Sequence, residues 1–146
     1  MNTPIKIAIN GFGRIGRNLF RLLINHPVIE VVVINDLADS KTLSHLLKYD
    51  SIHGILPYQV SYDENHIIVN TVSIPLLNQK KPENCNWNAH EVDILIESTG
   101  KFKTRADAEA HIKAGANKVI LSAPPIEDSI KTIVLGVNDH IIEQSD

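Results

Sequence analysis

Glycines at positions 11, 13 and 16 spell G-x-G-x-x-G, a spacing suited to holding a diphosphate. In such a bend the first glycine permits a tight turn, the second lets the backbone approach a pyrophosphate, and the third allows a helix to pack closely on a strand. Backbone N–H groups and the positive end of the helix dipole then face the anion. Asn10, Gly11, Phe12, Gly13, Arg14 and Ile15 are therefore candidate phosphate-loop residues. Asn35 and Asp36 follow, and Asp36 lies 20 residues beyond Gly16, where an acidic group accepts hydrogen bonds from an adenosine ribose. A carboxylate about 4 Å from a 2′-phosphate repels it by a few kcal/mol at an effective dielectric of about 20, so NAD is expected over NADP. The competing readings are an ordinary strand-to-helix turn for the glycines and a solvated strand end or helix cap for Asp36. Arg14 faces either the pyrophosphate or water, and its place beside the loop favours the former.

These residues need a strand, a helix and a second strand to position them. The apolar run before Gly11 reads as a doubly buried strand, and Val31, Val32, Val33 and Ile34 read as another. Between them Ile15, Leu19, Leu22 and Leu23 recur at helical spacing, with Arg14, Arg17, Asn18 and Arg21 on the other face and Pro27 closing the element. A second helix is expected over 41–48 with Ser40 as its N-cap, and a third over 104–114 between a Thr104/Asp107 capping box and Gly115. Period-two alternation over 58–77, with a turn at 63–65, predicts an antiparallel excursion. Residues 80–90 read as an irregular surface connection whose Trp87 packs back onto the body, and apolar runs at 92–96, 119–121 and 133–135 predict three further strands. The expected fold class is α/β, a Rossmann-type doubly wound, mostly parallel sheet with an antiparallel excursion around residues 55–78. Ser98, Thr99 and Gly100, then Ser122, Ala123 and Pro124, fall just past two of these strands. Ligands of open parallel sheets lie there, although turn chemistry and capping use the same residues.

Bulk properties exclude several classes. The 146 residues are one domain's worth, counted as 1–146, and 43% are hydrophobic and 21% charged. A formal charge of −3 spread along the chain offers no basic stripe for nucleic acid. No apolar run approaches the roughly 20 residues of a membrane helix, and the start lacks the order of a secretory signal, so a cytoplasmic location is expected. Cys85 is the single cysteine, in a polar stretch with no catalytic pattern around it, and reads as an unremarkable thiol. His45, His53, His66 and His90 are scattered without metal spacing, so neither catalytic nor metal-ligating residues are assigned.

Taken together, NGFGRIGR at 10–17, NDLAD at 35–39, LKYDSIHG at 47–54, ESTG at 97–100, SAP at 122–124 and GVN at 136–138 resemble the amino-terminal part of phosphorylating glyceraldehyde-3-phosphate dehydrogenase. The resemblance runs from about residue 5 to 142. It implies that Arg14 and Ile15 hold the pyrophosphate and Asp36 the ribose, while Thr99, Gly100, Phe102 and Ser122 line the cofactor cleft. Where the family has E-R-D-P near the adenine, this chain has Gln79, Lys80, Lys81 and Pro82, so Lys80 replaces an arginine; a backbone contact survives that change and a stacked guanidinium does not. Erythrose-4-phosphate dehydrogenases are similar but carry E at the Asp36 position and SHP in place of SAP. The resemblance further implies a glycolytic enzyme, a homotetramer, and a catalytic cysteine in an SCTTNC motif after GVN that this chain lacks. The chain is thus expected to bind NAD without turnover and to partner the catalytic domain of its parent. The rival readings are a non-catalytic interaction domain with a vestigial site, or a flavin or other nucleotide binder on the same fold.

Overall fold

The structure is a computed structural model that describes residues 3–146; Met1 and Asn2, counted above within the domain, lie outside the described residues. Its first three elements are β1 (Ile5–Asn10), α1 (Arg14–Leu23) and β2 (Ile29–Asn35), the strand–helix–strand unit anticipated from the apolar runs. Then come α2 (Ser40–Lys48), a two-stranded ribbon of β3 (Tyr49–Asp50) and β4 (Gly54–Ile55), and a meander of β5 (Val60–Tyr62), β6 (His66–Val69) and β7 (Val72–Leu77). Two 3-10 turns lead into β8 (Ile94–Glu97), α3 (Arg105–Lys113) and β9 (Lys118–Leu121).

The main sheet has the order β5-β6-β7-β2-β1-β8-β9. Strands β7, β2, β1, β8 and β9 run parallel, and β5 and β6 are added antiparallel at one edge. From β1 the chain steps first to β2 on one side and later to β8 on the other, so strand order reverses beside β1, where doubly wound sheets bind ligands. Alternation along β1, carried onto β2 across a register shift at Val32, makes two cores. Ile7, Ile9, Val31 and Ile34 join Phe12, Phe20, Leu43 and Leu47 on the α1/α2 side. Ala8 and Val33 join Cys85, Trp87, Val92 and Leu95 on the α3 side, so Trp87 does pack back onto the body.

Several expectations need correcting. The buried face of α1 is Gly16 and Phe20, flanked by Leu19 and Leu23, whereas Ile15 and Leu22 are exposed. On the other face, Arg17 Nη1 donates to Phe12 O at 2.9 Å, and Arg21 Nη2 donates to Leu47 O at 2.6 Å. The cap of α2 is Asp39, which accepts from Thr42 N, rather than Ser40. The run 133–135 is not a strand. Asn138 takes the N–H of Val134 and the carbonyl of Thr132 into a local turn, removing the groups a ladder would use.

Candidate functional site

Parallel register sets the geometry of the site. Asn10 lies opposite both Asn35 and Glu97, and Glu97 opposite Leu121, so the four parallel strands end in one row. The next residue of each strand, Gly11, Asp36, Ser98 and Ser122, forms a ledge just beyond the carboxyl ends. This is the place that small polar residues at strand ends pointed to.

The three glycines do three different things. Gly11 sits at φ +91°, and a Cβ there would lie 2.7 Å from Thr99 N. Gly16 has no room at all, since its Cβ would meet Gly11 O at 2.2 Å and Ile9 Cγ2 at 3.1 Å. Gly13 is the opposite case, exposed and with nothing within 4 Å of a built Cβ. Tight turn and close packing account for the first and third glycines, leaving the second facing open space that a ligand backbone contact requires.

Immediately beyond, Gly13 caps α1 with no side-chain hydrogen bond, and the first turn carries no acidic residue. The other two helices are capped by their own side chains, α2 by Asp39 and α3 by the Thr104/Asp107 box. The orphan N–H groups of the first turn of α1 are thus the uncapped set, at the positive end of the helix dipole. Arg14 and Ile15 are exposed beside them.

Asp36 belongs to the same rim. Its Oδ2 accepts from Phe12 N at 2.7 Å and its Oδ1 from Ala38 N at 2.9 Å, so the carboxylate is fixed against the glycine bend. Each oxygen keeps a free lone pair for hydroxyl donors. The 78–80 segment is docked here as well: Gln79 exchanges two backbone hydrogen bonds with the Asn35 amide at 2.8 and 2.9 Å, and Asn78 Nδ2 donates to Asp36 O at 3.2 Å. Lys80 is exposed at the end of that segment. Across β1, Ser98 Oγ donates to Gly11 O at 2.6 Å, Gly100 is exposed at φ +71°, and Ser122 N donates to Glu97 O at 3.0 Å. Ser122 is exposed and Ala123 half-buried.

Four of the candidates turn their side chains inward. Phe12 is fully buried and packs edge-on against Phe20, with ring centroids 5.7 Å apart, so only its backbone faces the loop. Asn10 and Asn35 are buried and bonded to each other at 2.7 Å. Phe102 is half-buried and lies edge-on to His111 at 6.2 Å. What reading by motif missed is the pair beneath them, Glu97 with His111, whose side chains are 2% and 0% exposed. A carboxylate closing the apolar run of β8 was the available signal. Cys85 is buried and donates to Lys81 O; burial first, then Glu97 and Glu83, push its thiol up to about 12. Burial likewise lowers the Arg17 guanidinium from its ordinary value, against the opposing pull of Asp50 and Asp36.

A surface hollow of about 700 Å³ opens between α2 and β5 and is lined by Thr42, His45, Tyr49 and Tyr62, with none of the ledge residues. No helix among the described residues is long and apolar enough to cross a membrane.

The family described as "Glyceraldehyde 3-phosphate dehydrogenase, NAD binding domain" matches residues 5–105, which takes in the glycine bend, Asp36, Lys80 and the 98–100 turn. The chain belongs to that family. Relatives agree with the assignment: the chain is 52% identical to glyceraldehyde-3-phosphate dehydrogenase 1 of Bacillus subtilis (strain 168) over 135 residues. It is 54% identical to the glyceraldehyde-3-phosphate dehydrogenase of Geobacillus stearothermophilus and 49% identical to that of Thermotoga maritima. In each case 92% of this chain and 40% of the relative are covered, so the chain spans about two fifths of the proteins it matches. As an NAD-binding domain of this dehydrogenase family, the chain has NAD as its cofactor. The residues present fit it: an uncapped helix start, an unfilled Gly13 and an anchored acid on one ledge.

Proposed function

We propose that this chain seats NAD for phosphorylating oxidation of glyceraldehyde 3-phosphate, with the diphosphate on Gly13, Arg14 and Ile15 and the adenosine ribose on Asp36. Asn10, Gly11, Phe12 and Asn35 shape the bend from below. Lys80 flanks the adenine end, and Ser98, Thr99, Gly100, Phe102, Ser122 and Ala123 carry the other half of the dinucleotide. The observation that bears most weight is Asp36 Oδ2 held 2.7 Å from Phe12 N, because it ties the sugar-binding acid to the phosphate bend. When bound, NAD supplies a hydride acceptor. The chain's own residues bind and orient that acceptor: amides and dipole offset the diphosphate charge, and the carboxylate disfavours a 2′-phosphate.

The chain by itself is proposed to bind without turnover. Its one cysteine is buried, protonated and bonded to a backbone carbonyl, the reverse of an activated nucleophile. Glycolysis in the cytoplasm, pairing with a catalytic domain and assembly of the parent enzyme into a homotetramer belong to the same proposal. Calorimetry with NAD and NADP tests it. One saturable NAD site with weaker NADP is expected; equal or tighter NADP would overturn the role of Asp36.

A further inference from the structure

The buried carboxylate beneath the ledge has no part in the contacts proposed so far. Glu97 Oε1 accepts from both the backbone N–H of Thr99, at 2.8 Å, and the Thr99 hydroxyl. Its Oε2 accepts from Asn10 Nδ2 and His111 Nε2, the latter at 3.0 Å. His111 is not a cationic partner. The indole Nε1 of Trp87 can only donate, and it donates to His111 Nδ1 at 3.1 Å, so the imidazole carries its single proton on Nε2. A carboxylate buried without a cation is costly, and apolar residues of similar volume commonly serve stability as well or better. A negative charge under a diphosphate seat also opposes the ligand. What Glu97 gains is geometric, because its donors come from both walls of the crevice where strand order reverses: Asn10 precedes the glycine bend and Thr99 centres the 98–100 bend. Those bends already touch, with Ser98 Oγ on Gly11 O at 2.6 Å and Gly11 too close to Thr99 for any side chain.

Resting on the NAD-seat reading above, we infer that Glu97 is a positioning residue: it clamps the 98–100 bend to the glycine bend, fixing the spacing of the two halves of the dinucleotide seat before NAD arrives. From below, His111 Nε2–H is the donor to Glu97, while Trp87 donates to His111 and not to Glu97. The Thr99 hydroxyl spends its one proton on Glu97 and accepts from Lys101 N at 3.1 Å, so it braces the bend.

The test compares Glu97→Gln with Trp87→Phe. The amide of glutamine sets an NH2 against donors on one side, whichever way it turns, releasing either Thr99 or the Asn10/His111 pair. Trp87→Phe removes the indole donor and part of a buried ring, which costs stability, but none of the four donors to Glu97. Well below the melting temperature, Glu97→Gln is expected to raise the Kd for NAD about tenfold, as for loss of a hydrogen bond to a charged group. It should also speed amide exchange at 11–13 and 98–100. Trp87→Phe is expected to lower Tm while leaving Kd within about twofold and that exchange unchanged. Lowered Tm in both variants with Kd and exchange unmoved, or tighter NAD binding by Glu97→Gln, would overturn the inference. If Glu97→Gln does not fold, Asn10→Ala carries the same readouts, and unchanged exchange at 98–100 would overturn it. Should the unsubstituted chain fail to bind NAD, the seat reading falls, while exchange in the variants still decides whether Glu97 clamps the bends.

Discussion

Alanine at Gly13 and at Gly16 adds the same methyl group at two sites whose surroundings differ completely. At Gly16 the new Cβ would lie 2.2 Å from Gly11 O, a carbonyl that cannot move aside freely because Gly11 N is bonded to Asn35 O at 2.8 Å and Ser98 Oγ holds the carbonyl at 2.6 Å. Overpacking of this kind costs about 1–3 kcal/mol, and each kcal/mol lowers Tm by about 2–4 °C in a chain of this size. At Gly13 the Cβ meets nothing within 4 Å and φ is −72°, which alanine adopts freely. Alanine caps a helix less well than glycine but loses less chain entropy, so stability should stay within about 1 kcal/mol. NAD binding should nonetheless fall at least about tenfold, equivalent to about 1.4 kcal/mol, because the methyl occupies the space where the diphosphate approaches the backbone. Thermal melts and calorimetry on the two variants decide the matter. A Gly13→Ala chain that binds NAD as tightly as the unsubstituted one would refute the assignment of roles within the bend.

Other expectations follow from the same geometry. Asp36→Ala should weaken NAD more than NADP in parallel calorimetry, and equal weakening would leave the ribose contact without support. Thr104→Ala removes the capping box of α3 and should cost about 1 kcal/mol, read as a Tm loss of about 3 °C with NAD affinity unchanged. Because the Cys85 thiol is raised from 9.0 to about 12, the unfolded chain loses that proton first. Stability should therefore fall as pH rises from about 9 to 12, with a smaller slope in Cys85→Ala, and identical slopes by denaturant titration would contradict a buried neutral thiol. For the same reason a thiol reagent at pH 8 should label the folded chain far more slowly than the denatured one.

Much of this arrangement was legible in the sequence because local signals and long-range order agreed. The glycine spacing, the apolar run of β1, the valines of β2 and the capping box of α3 each specify a short stretch, and their order specifies a parallel crossover. Helical period alone misplaced the buried face of α1, since Leu22 and Phe20 are equally apolar and only the sheet decides which one it covers. The run 133–135 was apolar enough for a strand, yet the Asn138 side chain captured its backbone groups first. At the site, the exposed Gly13 and the ledge residues were found by type and position. The inward turn of Asn10, Asn35 and Phe102 was not, because an amide or a ring at a strand end carries no mark of which side of the sheet will satisfy it. Glu97 and His111 are 14 residues apart and meet only through the register of β8 with α3 packed beside it, a contact with no local pattern.

The most direct measurement of where NAD sits is a titration of the 15N-labelled chain followed by amide chemical shifts. Saturable shifts are expected, largest at Gly11, Gly13, Arg14, Asp36, 98–100 and Ser122, with little change at Thr42, His45 or Tyr49. Shifts centred on the hollow between α2 and β5, or none at the glycine bend under saturating NAD, would contradict a seat on the ledge.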